Sequence, residues 1–594
     1  MAVARAVADY VRAAPGIATL RLGTALVAGI APAAVAWLTK VVLDRLTADD
    51  GRPIAVPLVA LALLGAAIAI AGHAVHYATG EMGRRVSARS LVRLFGAVCA
   101  PVGIAELEDP AFHDRLRLAQ QAAGGGIAQL AESVVDAGQS VVALAGFLIA
   151  LQTISPLTTL LVVGSAVPIL AAQWRLARQQ TENQAEMSPM LRRQVFYTTL
   201  MLNPRAAGEI RLFGLGDLFR GRMLSELRAA QRGQHRVDRT TLRVDAALSI
   251  LTAAVSGAAL LVLAARIRAG QAGVGDLAVL IAALAGVQGA LATTVGRLTG
   301  LGPLRALYDD YTAVAGGPPA PAGQEPALAP LRHGIEFHDV WFRYHPDHDW
   351  VLRGVDLRIP AGESVALVGL NGAGKSTLVK LLCRLYEPDR GRITFDGVDL
   401  RDLGPQAYRR RIGVLFQDFM TYELTVTENI GVGDVAALES SAKITEAAEL
   451  AGIHERIAAL PAGYDTMLSR MFAGHDGAGA QLSGGQWQRL ALARALLRRD
   501  ADLLILDEPS SGLDAAAERE IHARLTEMRH GSASLLISHR LSAVRDANQI
   551  VVLRDGVVAE RGDHDTLMGR GGDYARLFRS QADGYQLTGG GDDR

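Results

Sequence analysis

The chain has 594 residues, half of them hydrophobic, and its 60 basic and 60 acidic residues cancel to a formal charge of zero. That length exceeds what one hydrophobic core organises, so two or more domains are expected. Balanced charge and positive mean hydropathy argue against a chain that coats nucleic acid or an acidic partner. Two cysteines, Cys99 and Cys383, cannot build a disulfide framework. Both are expected to be buried thiols facing a reducing compartment.

Charge-free runs occupy residues 22–39, 53–72, 246–265 and 277–296, and residues 137–174 form a further thirty-eight without a charge. A membrane span needs about 20 apolar residues, so the longest run is two helices with a tight turn near Ser155-Pro156. The predicted spans are about 20–43, 53–80, 134–152, 157–175, 245–266 and 276–298, within a transmembrane domain at 1–314. The first run is too long for the apolar region of a signal peptide and further spans follow it, so no cleaved leader is expected.

Arginines orient these spans. Residues 175–243, between the fourth and fifth, hold thirteen. Arg84, Arg85, Arg89, Arg93, Arg115 and Arg117 lie between the second and third, while the alternate connections are short and poor in positive charge. Basic residues stay on the cytoplasmic side, which predicts a multi-pass protein of the cytoplasmic membrane with both termini and both long loops inside. Helical spacing in those loops, such as Leu91, Leu94, Phe95 and Val98, predicts continuations of the spans. Each has one break, at Glu108-Asp109-Pro110 and at Asn203-Pro204. The spans carry no fixed charge near their middles. Their polar members Gln139, Gln288, His73 and His76 fit interhelical or interfacial contacts, with a cavity lining as the alternative.

Residues 315–332 are rich in proline, alanine and glycine and read as a linker. From 333 to 594, short apolar strands such as residues 364–368 and 503–506 alternate with helical patterns, which predicts a three-layer α/β domain. Here Gly369-Leu370-Asn371-Gly372-Ala373-Gly374-Lys375-Ser376, followed by Thr377, matches the P-loop pattern between a strand and a helix. Its glycines let backbone N–H groups surround a β-phosphate, Lys375 supplies charge to the phosphates, and Ser376 ligates Mg²⁺. The strand 503–506 ends in Asp507-Glu508. Asp507 is expected to hold Mg²⁺ and Glu508 to polarise the attacking water.

Between these elements stands Leu482-Ser483-Gly484-Gly485-Gln486, followed by a helical run at 489–495. With it the sequence resembles the ATP-binding cassette proteins along essentially its whole length, and their exporter branch in its long intracellular helices. The resemblance implies a fold of six transmembrane helices followed by a P-loop ATPase domain. It likens Tyr344 to the aromatic that stacks on adenine, with Trp341 and Phe342 as competing candidates. Gln417 is similar to the glutamine that touches Mg²⁺, His539 to the histidine at the γ-phosphate, and Asp514 to the loop that reaches the other cassette. It further implies that Ser483, Gly484, Gly485 and Gln486 contact the ATP held by a second half-transporter chain, identical or different. Trp487 departs from the family pattern and is taken as structural. Residues 106–114 and 203–219 would be the coupling helices. The implied activity is ATP-driven export or flipping of an amphipathic small molecule, peptide or lipid. The alternative is an ATP-gated channel or regulator with the same parts.

Overall fold

The computed structural model describes residues 2–47, 53–100, 102–317, 325–469, 479–509, 531–541 and 544–586. The chain divides into two compact units, residues 1–100 with 110–320 and residues 101–109 with 321–594.

The first unit is helical. In chain order it contains α1 (Ala2–Ala13), α2 (Pro15–Thr47) and α3 (Ala55–Cys99). After α4 (Ala105–Glu108), which belongs to the second unit, come α5 (Pro110–Gln121) and α6 (Ile127–Ile154). The series ends with α7 (Pro156–Leu202), α8 (Pro204–Leu212), α9 (Gly216–Arg268) and α10 (Gly275–Ala315). Asp109, Ser155 and Asn203 all adopt extended ψ angles, 119°, 124° and 119°, immediately before a proline. The proline ring disfavours a helical residue before it, so each pair ends one helix and starts the next.

Among the described residues six helices are long and apolar enough to cross a membrane. Large apolar side chains on them, including Leu22, Leu63, Ile70 and Trp174, are between 53% and 69% exposed. Water would penalise that surface and lipid does not, so the chain is a multi-pass membrane protein. Inside the unit, Phe147, Leu151, Leu263, Leu280 and Leu284 pack one core, and Tyr10, Met82, Leu94, Ile127 and Tyr308 another. At its polar end the buried Arg21 pairs with Glu132 at 2.9 Å and with Asp136, which also meets Arg297 at 2.8 Å. Cys99, the last residue of α3, is exposed, contrary to the sequence expectation.

The second unit holds two sheets. An antiparallel sheet has the order β2-β1-β4-β5, from β1 (Gly334–Phe342), β2 (Leu352–Pro360), β4 (Arg390–Phe395) and β5 (Val398–Asp399). The larger sheet has the order β10-β9-β3-β8-β7-β6, from β3 (Ser364–Val368), β6 (Ile412–Leu415), β7 (Leu503–Asp507), β8 (Ala533–Ile537), β9 (Gln549–Arg554) and β10 (Val557–Gly562). Strands β3, β7 and β8 are buried at every residue, which is why they read as unbroken apolar runs. Alternate residues supply the two faces. Val365, Leu367, Leu503 and Ile505 pack with β1, β2 and α11 (Lys375–Leu382). Ala366, Val368, Leu504 and Leu506 pack with α13 (Val426–Gly431), α14 (Ser441–Leu450) and α16 (Gly484–Leu496). Short helices α12 (Pro405–Arg409) and α15 (His454–Ala458) complete the layers. Cys383 is buried here and its thiol is pushed up to about 12 by desolvation, which leaves it inert.

Candidate nucleotide site

Four neighbouring parallel strands, β3-β8-β7-β6, deliver the polar groups of the site from their carboxyl ends. The P-loop follows β3, His539 follows β8, Asp507-Glu508 ends β7, and Gln417 follows β6. They surround a cavity of about 580 Å³ lined by Val351, Asn371, Gly372, Gly374, Lys375, Ser376, Thr377, Gln417, Asp507, Glu508 and His539.

The loop takes its shape from two glycines. Gly374, just before α11, has φ 104°, and a Cβ there would lie 2.7 Å from Leu352 Cδ2. A Cβ on Gly369 would meet the Leu553 carbonyl oxygen at 2.3 Å. The resulting turn draws the Lys375 ammonium inside, where it donates to the carbonyls of Gly369 and Leu370 at 2.8 and 2.9 Å. Burial lowers the Lys375 pKa, and the nearby Glu508 and Asp507 charges oppose that shift. A buried cation at the start of a helix is suited to binding a polyphosphate.

Asp507 is 4% exposed. Burial first, and then the adjacent Glu508, push its pKa up to about 6, against the pull of Lys375. The Ser376 hydroxyl also hydrogen-bonds to it. A buried carboxylate held by a serine, with the Gln417 amide in the same cavity, is an oxygen donor set suited to Mg²⁺ on a bound phosphate. Among the described residues no cluster of three or more His, Cys, Asp or Glu side chains offers a rival metal site. The Glu508 carboxylate is held from both sides. His539 Nε2 lies 2.6 Å from Oε1, and Gln417 Nε2 donates to Oε2 at 3.1 Å. Its backbone has φ 53°, in the left-handed region that non-glycine residues enter at a cost.

Ten of the residues singled out from sequence thus meet in one cavity: Asn371, Gly372, Gly374, Lys375, Ser376, Thr377, Gln417, Asp507, Glu508 and His539. Gly369 contributes through its carbonyl, as above. Tyr344 stands beside them, 40% exposed, its hydroxyl 3.0 Å from Thr377 Oγ1. Ser483, Gly484, Gly485 and Gln486 do not line this cavity. They open α16, where Ser483 Oγ accepts the Gln486 N–H and Gln486 Oε1 accepts the Ser483 N–H at 3.0 Å. That box leaves the Ser483 hydroxyl hydrogen and the first α16 amides free to face an anion. Trp487 packs against the core as a structural residue. Asp514 lies outside the described residues.

Sequence reasoning missed a cluster around Glu108, within the 101–109 segment. Lys380 Nζ donates to its Oε1 at 2.9 Å and the Tyr386 hydroxyl to its Oε2. Lys380 lies 5.3 Å from the Tyr344 ring centroid and 5.5 Å from that of Tyr386. Burial would raise the Glu108 carboxyl, but the bonds from Tyr386 and Lys380 outweigh it and hold the pKa below the ordinary range. A depressed carboxylate pKa gives stability that is present above the unfolded value and lost as pH falls through the folded one. The side chain is 46% exposed, so the contribution is at most about 1 kcal/mol. Glu108→Gln is therefore expected to speed amide exchange in residues 102–108 about fivefold near pH 7, with the difference vanishing in acid. Unchanged exchange would show that the cluster does not hold the segment.

Comparison with known proteins agrees with this geometry. Residues 352–511 match the family described as ABC transporter. The cyclolysin secretion/processing ATP-binding protein of Bordetella pertussis is 46% identical over 261 residues, which are 44% of this chain and 35% of that protein. An ATP-dependent lipid A-core flippase of Alkalilimnicola ehrlichii is 42% identical over 271 residues, 46% of this chain and 44% of its own length. The chain thus spans less than half the length of these curated relatives. A solved bacterial Atm1-family ABC exporter with ATP bound superposes with a TM-score of 0.76 at 24% identity, over 96% of this chain and 98% of that one.

Proposed function

We propose that this chain, which carries the ATPase domain of the ABC transporters in the fold of an ABC exporter, works in pairs to drive an amphipathic substrate out across the cytoplasmic membrane. The observation that carries the reading is one cavity holding a buried P-loop lysine and a carboxylate gripped by His539 and Gln417, in a chain whose described residues include six helices long and apolar enough to cross a bilayer.

In this reading the P-loop amides and Lys375 bind the triphosphate, and Tyr344 stacks on adenine. Ser376, Asp507 and Gln417 hold Mg²⁺, which supplies charge neutralisation on the phosphate oxygens. Glu508 accepts a hydrogen bond from the attacking water while His539 fixes the carboxylate and reaches the γ-phosphate. Ser483, Gly484, Gly485 and Gln486 close on the ATP of a second chain. ATP thereby draws two cassettes together. The 101–109 segment, continuous in sequence with α3 and α5, carries that motion toward the membrane helices. Reversing a 1:99 conformational equilibrium needs about 5.5 kcal/mol of differential binding. Two nucleotides clamped from both sides are a sufficient source.

The names of the relatives speak of secretion and of lipid flipping, which favours export. The arginines of the two long loops favour a reading with both termini and the ATPase domain inside. The test is the full chain reconstituted in lipid vesicles and assayed for Mg²⁺-dependent ATP hydrolysis against a panel of amphipaths. Stimulation by a transported member supports the reading. No hydrolysis, with or without a co-expressed companion chain, ends it.

A further inference from the structure

We propose that Gln488 is a positioning residue for hydrolysis: from α16 it holds the backbone carbonyl of Glu508 and so sets where the Glu508 carboxylate faces. The proposal rests on the reading of Glu508 as the group that orients water.

Gln488 is 3% exposed, and its Nε2 donates to the Glu508 carbonyl oxygen at 2.9 Å. On its other side the Glu508 peptide donates its N–H to the Ile537 carbonyl at 2.9 Å. The residue between these two anchors has φ 53°, a backbone that relaxes unless its surroundings enforce it. The amide orientation is settled by chemistry, since a carbonyl needs a donor. That choice leaves Gln488 Oε1 buried without a hydrogen-bond partner among the described residues. An unsatisfied buried acceptor costs stability, and a leucine or methionine in the same space would not incur it. What the glutamine adds is therefore the grip on Glu508.

The same helix is fixed at other points along its length. Its first turn is the Ser483–Gln486 box. Further along, Arg494 donates to the carbonyls of Met420 at 3.1 Å and Asn429 at 2.9 Å, and lies 4.7 Å over the Tyr422 ring. Met420 and Tyr422 belong to the segment that follows Gln417. One rigid helix thus grips the Glu508 carbonyl and the Gln417 segment, while its exposed start is the part read as meeting a second chain's ATP. A tilt of α16 on that contact reorients Glu508 in its own site. Hydrolysis at one site is then modulated, not gated, by the same chain's engagement at the other.

The experiment compares the full chain in lipid with Gln488→Leu and Gln488→Met. Turnover is expected to fall about tenfold, the loss of one well-placed hydrogen bond. The KM and Kd for ATP should stay within about twofold and Tm should not drop. Turnover within twofold of the parent overturns the proposal, as does a loss shared with ATP affinity and Tm in both variants, because a structural residue would behave that way. Glu508→Gln is run alongside. If it arrests turnover while both Gln488 variants match the parent, the positioning role alone fails. If Glu508→Gln also turns over normally, the catalytic reading falls and takes this proposal with it.

Discussion

Glu508→Gln is expected to lower steady-state ATP turnover at least about 10²-fold while leaving ATP bound, because a positioned general base contributes roughly 10²–10⁴ in rate. Glutamine has nearly the same shape, so the contacts now made by His539 and Gln417 to the Glu508 carboxylate have an amide to meet. What disappears is the negative charge and its proton affinity. The groups read as holding the triphosphate come from elsewhere: Gly372 and Gly374 lie in the loop after β3 and Lys375 opens α11, whereas Glu508 directly follows β7. Binding and chemistry therefore separate in this variant. The checks are phosphate release in reconstituted vesicles and the nucleotide retained after rapid desalting. Retained ATP with arrested turnover supports the assignment. Turnover within threefold of the parent transfers the role to another group.

How much of this was legible in the sequence depends on how local each feature is. The P-loop is contiguous, and its strand–turn–helix setting follows from an apolar run, glycines and a lysine within thirteen residues. Asp507 and Glu508 likewise sit next to each other after a buried strand. The convergence of Gln417, Glu508 and His539 is not local, because the sheet order β3-β8-β7-β6 differs from the chain order. Spacing says nothing about it, and family resemblance had to supply the roles of Gln417 and His539. Gln488 was readable in principle, since it lies one turn before the buried Leu492 on the inner face of α16, but the carbonyl it meets belongs to a strand that follows later. Glu108 was invisible for the same reason, as its partners Lys380 and Tyr386 lie some 270 residues on. In the membrane half, charge-free windows located the apolar middles of the helices. The helices themselves run on beyond those windows, and α7 continues through Pro168 and Pro189 to Leu202, where the extended Asn203 before Pro204 ends it. Cys99 was misjudged because a thiol outside a disulfide was taken as buried by default, whereas Cys99 is exposed and Phe95, one turn before it on α3, is 46% exposed.

The strongest test of a shared site is complementation between two dead variants. Lys375→Ala removes the ammonium that the loop holds at Gly369 and Leu370, and each such chain should lose ATP turnover almost entirely. Ser483→Arg places a long cation at the exposed start of α16, where the capping box now leaves a hydroxyl and free amides, and should block closure on a second chain's nucleotide. Each homodimer then lacks two working sites. In a mixed dimer one site combines both defects. The other combines an intact P-loop from the Ser483→Arg chain with an intact α16 start from the Lys375→Ala chain. Random co-assembly makes about half the dimers mixed, each with one of two sites restored, so if sites fire independently activity should return to about a quarter of the parent in the unsorted mixture and about half in the purified mixed dimers. If the α16 start served the P-loop of its own chain, every chain in the mixture would stay defective and nothing would return. Co-expression with two affinity tags, followed by ATPase assay of the doubly purified species, separates these outcomes. A mixed dimer with no activity above either homodimer would refute the two-chain site.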